Sequence, residues 1–150
     1  VEITKFDDIG EIEKVIQKAI VCQIGLADGD QPYVVPVCFG YERGKIYFHS
    51  RPKGRKIDTI KKNAKVCFAM AVDLELVKSD DPCDWAMKYR SVIGFGRATI
   101  LDDAAEISHG LNLVMSQYTH GNFTFDEKSL AGVNIIRIDI SEITGKQIQD

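Results

Sequence analysis

Residues 45–63 read KIYFHSRPKGRKIDTIKKN, and the fold turns on how this stretch divides. Lys45 to Phe48 is β-branched and aromatic, Arg51-Pro52-Lys53-Gly54 interrupts, and Ile57, Ile60 and Ala64 return at helical spacing. The pattern predicts a short strand, a basic turn and a helix. Arg51, Lys53, Arg55 and Lys56 gather positive charge where the free N–H groups of a helix start and its dipole already favour an anion, with Ser50 as a hydroxyl donor. We read a phosphate seat here, set against the plainer alternative of a solvated basic turn.

Outward from this stretch the chain reads as strands. Upstream, AIVCQIGLA (19–27), PYVVPVCFGY (32–41) and KIYFHS (45–50) are separated by Asp28-Gly29-Asp30 and Glu42-Arg43-Gly44, which predicts three antiparallel strands joined by tight turns. Pro36 inside the second strand calls for an edge, a bulge or a place where a ligand meets the backbone. A helix precedes them: Asp8 and Glu11 have capping-box spacing, and Ile9, Ile12, Val15, Ile16 and Ala19 form its apolar face.

Downstream, KVCFAMAV (65–72) predicts a buried strand that Asp73–Val77 either prolongs or follows with another, and KSDDPCD (78–84) a polar loop. YRSVIGFGRATIL (89–101) predicts a long strand whose Gly94 and Gly96 face one side and permit a bend or close packing. Asp103 and Glu106 cap a helix striped by Ile107, Leu111, Val114, Met115 and Tyr118; residues 120–132 read as irregular, and 134–143 as a last strand. The sum is one mainly β (α+β) domain over residues 1–150, a six- to seven-stranded antiparallel barrel with flanking helices, which the resemblance given below makes a split barrel.

A formal net charge of −3 over 150 residues argues against a general nucleic-acid binder. No signal peptide or membrane-length apolar run is apparent, so the expected compartment is the cytoplasm. Cys22, Cys38, Cys67 and Cys83 form no CxxC pair and are expected as buried thiols, not disulfides or zinc ligands. GxGxxG, GxxxxGK[ST] and GxSxG loops are absent, and His49, His109 and His120 lack metal-ligand spacing. His109 and His120 are read as surface residues, and Asp80, Asp81 and Asp84 as solvated. Trp85 and Tyr89 are read as core or dimer contacts in preference to a pocket mouth. With a phosphate seat and no acid–base machinery, the reactivity is expected from a bound phosphorylated cofactor.

The run PYVVPVCFGYERGKIYFHSRPKGRKIDTIKKNAKVCF, followed by YRSVIGFGRATIL, resembles the pyridoxamine 5′-phosphate oxidase-like flavoproteins of the FMN-binding split-barrel superfamily, and within them the nitroimidazole-resistance (Nim-type) branch. The resemblance implies an FMN phosphate held by His49, Ser50, Arg55 and Lys56. It implies a strand, Val35-Pro36-Val37-Cys38, facing the isoalloxazine ring, and Arg90 and Ser91 reaching the flavin from the other subunit of a homodimer. It also implies an FMN-dependent oxidoreductase that passes electrons to a small acceptor such as a nitroaromatic. No metal, membrane or nucleic acid is expected, and no catalytic residue is assigned; for His49 a structural place beside the phosphate is preferred to proton transfer. Pyridoxamine phosphate is not the expected substrate, because the sequence passes from its last strand straight into SEITGKQIQD. The alternatives are a flavin- or haem-binding module without turnover, and a dimeric barrel that has lost its ligand.

Overall fold

The computed structural model describes residues 1–150. Its strands are β1 (Glu2–Phe6), β2 (Cys22–Asp28), β3 (Gln31–Val37), β4 (Gly40–Glu42), β5 (Lys45–Ser50), β6 (Lys65–Val77), β7 (Ala86–Ile100) and β8 (Asn134–Gln149). The helices are α1 (Ile9–Lys18), α2 (Arg55–Lys62), α3 (Ala104–Tyr118) and α4 (Glu127–Ala131). All strands pair antiparallel in the order β3-β2-β6-β7-β8-β5-β4, with β1 added to the distal part of β8. The two ends of this order, β3 and β4, are consecutive in sequence but unpaired. Both nevertheless face one core cluster: Val37 of β3 belongs to it with Phe39, Ile46, Phe48, Ile24, Phe68 and Ile138, and Tyr41 of β4 packs against it. The sheet therefore wraps around a shared interior and stays open along one seam, as a split barrel does.

Local chemistry explains the elements. Asp8 caps α1 by accepting from the Glu11 N–H at 3.0 Å, and Asp103 caps α3 through Glu106 in the same way. Ile12, Val15 and Ile16 of α1, with Ile57 and Ile60 of α2, are buried against the sheet. Pro36 does lie on an edge: β3 pairs only with β2, where Pro36 faces Gln23, so its missing N–H costs no ladder bond. Gly94 and Gly96 serve close packing, since a Cβ on Gly94 would overlap the Phe68 ring and one on Gly96 the Asp139 carbonyl.

Several sequence expectations are corrected. There are eight strands, not six or seven, because β1 is an additional edge strand and PYVVPVCFGY breaks at Cys38-Phe39 into β3 and β4. The last strand continues beyond Ile143 to Gln149, where Gly145 receives the Phe6 ring of β1. Residues 120–132 contain the short α4, capped by Asp126. Asp73–Val77 prolongs β6 through a bulge at which Asp73 takes φ 56 and Lys18 approaches its carboxylate at 3.2 Å. All four cysteines are free, but only Cys22 is buried; Cys38 and Cys83 are exposed and Cys67 is half-buried. Cys67 sits on the outward parity of β6, opposite to Val66 and Phe68. Trp85 is not core: it is 48% exposed and donates its indole N–H to the Ser79 carbonyl at 2.6 Å. No helix is long and apolar enough to cross a membrane.

Candidate functional site

Strand β5 ends at Ser50 and the chain turns through Arg51–Gly54 into α2. The residue before the helix, Gly54, has φ 143, and no side chain caps α2. The first intrahelical bond runs from the Asp58 N–H to the Gly54 carbonyl at 3.1 Å, which leaves the N–H groups of Arg55, Lys56 and Ile57 without helical acceptors. Nothing lies within 4 Å of where a Gly54 Cβ would be. A helix start that is open, uncapped and at the positive end of the dipole accepts an oxyanion.

The side chains around it agree. Ser50 is buried opposite Asn134 in the β5–β8 ladder, and Asn134 fixes the turn by donating to the Pro52 carbonyl at 3.1 Å. His49, exposed, is opposite Ile135. Lys56 is half-buried and joins no ion pair, whereas Arg55 leans on the β2–β3 hairpin. Its Nε is 3.4 Å from an Asp28 carboxylate oxygen, and its Cζ sits 4.4 Å over the Tyr33 ring. Asp28 and Tyr33 were read only as a turn and a strand residue, because contact across 27 positions leaves no mark in the sequence.

The remaining expected residues divide. In β3, Val37 is buried and Val35 half-buried on the inner side, while Pro36 and, just past the strand, Cys38 are exposed. The segment behind them is tied down: the Phe39 N–H donates to the Tyr118 hydroxyl at 3.1 Å, and that hydroxyl donates to the Ile20 carbonyl at 2.9 Å. Arg90 is engaged within its own chain, with Nη2 at 2.9 Å from Glu11, Nε at 3.3 Å from Gln147 and the Phe6 ring 5.4 Å away. Ser91 Oγ donates to the Lys146 carbonyl at 3.4 Å. Arg90 pairs with Val72, whereas Gly25 pairs with Cys67, which puts Asp28 and Arg55 past the Lys65 end of β6. Seven residues of strand, about 23 Å at ~3.3 Å per residue, separate the two sets. One chain does not bring them together.

Other polar clusters hold the fold. The Tyr47 hydroxyl donates to Glu42 at 2.9 Å and His109 Nε2 is 3.0 Å from the same carboxyl group; burial and the Glu42 bond push Tyr47 up to about 12. Burial likewise pushes the Cys22 thiol up to about 12, which leaves it protonated and unreactive. No group of three or more His, Cys, Asp or Glu side chains is placed to hold a metal.

Comparison with known proteins adds the following. A family model described as pyridoxamine 5′-phosphate oxidase matches residues 8–147. Among solved structures, a candidate 5-nitroimidazole antibiotic resistance protein from Bacteroides thetaiotaomicron VPI-5482 is 31% identical with a TM-score of 0.87, over 97% of this chain and 87% of that one. A flavocytochrome from Azotobacter vinelandii (19% identical, TM-score 0.85, 97% of this chain and 70% of that one) shares the fold. So does an FAD- and haem-binding protein from Mycobacterium smegmatis (14%, 0.87, 97% and 74%). An uncharacterised protein of Rhizobium meliloti (strain 1021) is 31% identical over 61 residues, so the match spans 41% of this chain and only 40% of that relative's length.

Proposed function

The chain belongs to the pyridoxamine 5′-phosphate oxidase family, and from that premise we propose that it is an FMN-binding flavoprotein that passes electrons to a small acceptor such as a nitroaromatic. The observation that carries the reading is the open head of α2, where uncapped N–H groups lie in the same short turn as Arg55, Lys56 and the buried Ser50 that ends β5. These groups fit a terminal phosphate: backbone donors and a guanidinium fork match its oxygens, and the absent Gly54 side chain leaves room for them. When bound, the flavin supplies hydride or single-electron transfer. The chain's own residues bind and orient it. Arg55, Lys56 and Ser50 would hold the phosphate, and the free edge of β3 at Pro36 would offer backbone groups to the ring. The Tyr118 hydroxyl keeps that edge in place.

A second copy completes the reading. The outward face of β3-β2-β6-β7 has no helix over it and exposes Val34 (66%) and Phe95 (48%) around Ala69 and Gly25. A contiguous apolar sheet face of this kind suits a homodimer contact, and a partner's β7 then supplies the half of the site that one chain leaves about 23 Å away. Titration with FMN and with riboflavin, which lacks the phosphate, tests the assignment. R55A/K56A is expected to weaken FMN at least about tenfold, since charge-assisted bonds contribute about 1.5–3 kcal/mol each, and to change riboflavin little. Equal FMN affinity in wild type and variant removes the phosphate site. A reduced flavin that is reoxidised no faster when a nitroaromatic is added, with oxygen excluded, removes the acceptor class.

A further inference from the structure

Away from α2, β1 lies against the distal part of β8 so that Lys5 is directly opposite Lys146, and Lys146 is in turn opposite Ser91 on β7. Directly opposite residues on antiparallel strands project to one face with their Cβ atoms about 5 Å apart. The three side chains therefore form a row across three strands. Like charges in this relation destabilise a sheet, and neither lysine is neutralised by an ion pair, although nine such pairs occur elsewhere in the molecule. Lys146 Nζ instead lies 5.9 Å from the centre of the Tyr89 ring.

The row borders a cleft of about 510 Å³ into which Thr144 adds a hydroxyl, Ile93 an apolar wall and Asp7 a single carboxylate. We propose that this cleft is a binding site for a small organic monoanion with a flat apolar body. Its carboxylate would sit between the Lys5 and Lys146 ammonium groups, the Thr144 hydroxyl would donate to it, and Ile93 would carry the body. Asp7 cuts the net positive charge, which favours a monoanion over a phosphate dianion. An unpaired cross-strand lysine pair is costly on its own and is relieved by such a ligand. In the flavin-bound dimer proposed above, Ser91 borders the flavin, so the anion held here is the electron acceptor; that role, unlike the binding itself, rests on the flavin reading.

The test is calorimetric titration of the wild-type protein, K5Q, K146Q and K5Q/K146Q with 4-nitrobenzoate and with its neutral analogue 4-nitrobenzamide. The wild type is expected to bind the benzoate at least about tenfold more tightly than the amide. The double variant should lose that preference while melting at an equal or higher temperature, because a repulsion has been removed. No preference in the wild type, or an undiminished preference in the double variant, overturns the site. Binding of 4-nitrobenzoate by a protein that takes up no FMN keeps the site and removes its acceptor role; FMN uptake with no charge preference removes the anion site alone.

Discussion

Arg55 meets two claims on one guanidinium. Its Nε faces Asp28 at 3.4 Å and its plane rests on Tyr33, while the helix it begins points uncapped N–H groups at the space a phosphate would fill. The Asp28–Arg55 pair is half-exposed, with side-chain exposures of 37% and 51%, and such pairs stabilise by less than about 1 kcal/mol. Asp28 would also repel a phosphate dianion held at that helix start. Removing it should therefore help the ligand more than it harms the fold. D28N is expected to tighten FMN about threefold at low salt, with no change for riboflavin, and the gain should fade at high ionic strength; weaker FMN binding would mean that Asp28 aims Arg55 and does not compete for it. Gly94 makes a second residue-scale prediction. A methyl group there meets the Phe68 ring, both lie in a filled core, and overpacking of this kind costs about 1–3 kcal/mol. Urea unfolding of G94A should show that loss, and a variant as stable as the wild type would mean that Phe68 can move aside.

The three-residue β4 connects two helices to the sheet. Glu13 of α1 reaches Arg43 at 2.7 Å and the Tyr41 hydroxyl at 2.9 Å, while Glu42 joins Tyr47 and His109 of α3. The Arg43 bond holds the Glu13 carboxyl below its ordinary 4.5; burial pushes Glu42 up, but the Tyr47 hydroxyl and His109 outweigh it and leave it lowered as well. A carboxylate with a depressed folded-state pKa contributes stability that is present above its ordinary value and is lost as pH falls through the folded value. The melting temperature should thus fall below about pH 4.5, and less steeply in E13Q/E42Q; an identical acid slope would place the loss elsewhere. What the sequence made legible at this scale follows from the range of each signal. The Asp8 and Asp103 caps, the alternation of Ile136, Ile138 and Ile140 in β8 and the basic turn before α2 are local patterns, and all of them appear in the structure, although Glu11 and Glu106 turn to Arg90 and Arg137 instead of closing a capping box. β1 was missed because EITKF alternates weakly and its pairing with β8 spans the whole chain. The outward cysteines were misread because strand parity depends on where a strand begins. Asp28 and Tyr33 at the candidate site, and the lysine row, arise only from long-range register.

At the scale of the whole molecule, the sheet has two unlike sides. The inner side closes around Phe39, Phe48 and Phe68, all fully buried, with α1 and α2 packed against it. The outer side of β2, β3, β6 and β7 is small and apolar, with Phe95 and Val34 standing exposed on it, and no element of this chain covers it. In the proposed homodimer a second copy would cover it, and would also answer the separation of Ser91 from the head of α2, since each β7 would then approach the other chain's phosphate seat. Phe95 is outside both sets of candidate ligands, so a charge placed there tests the assembly without touching the site. The wild type is expected to sediment as a dimer and F95E as a monomer, because burying an unpaired carboxylate costs several kcal/mol. It should remain folded, since Phe95 is already half in solvent, and its FMN affinity should fall even though Arg55 and Lys56 are untouched. A variant that still dimerises shows that the apolar face is not the contact. A monomer with full flavin affinity shows that one chain suffices, and the role of Ser91 across the interface is then withdrawn.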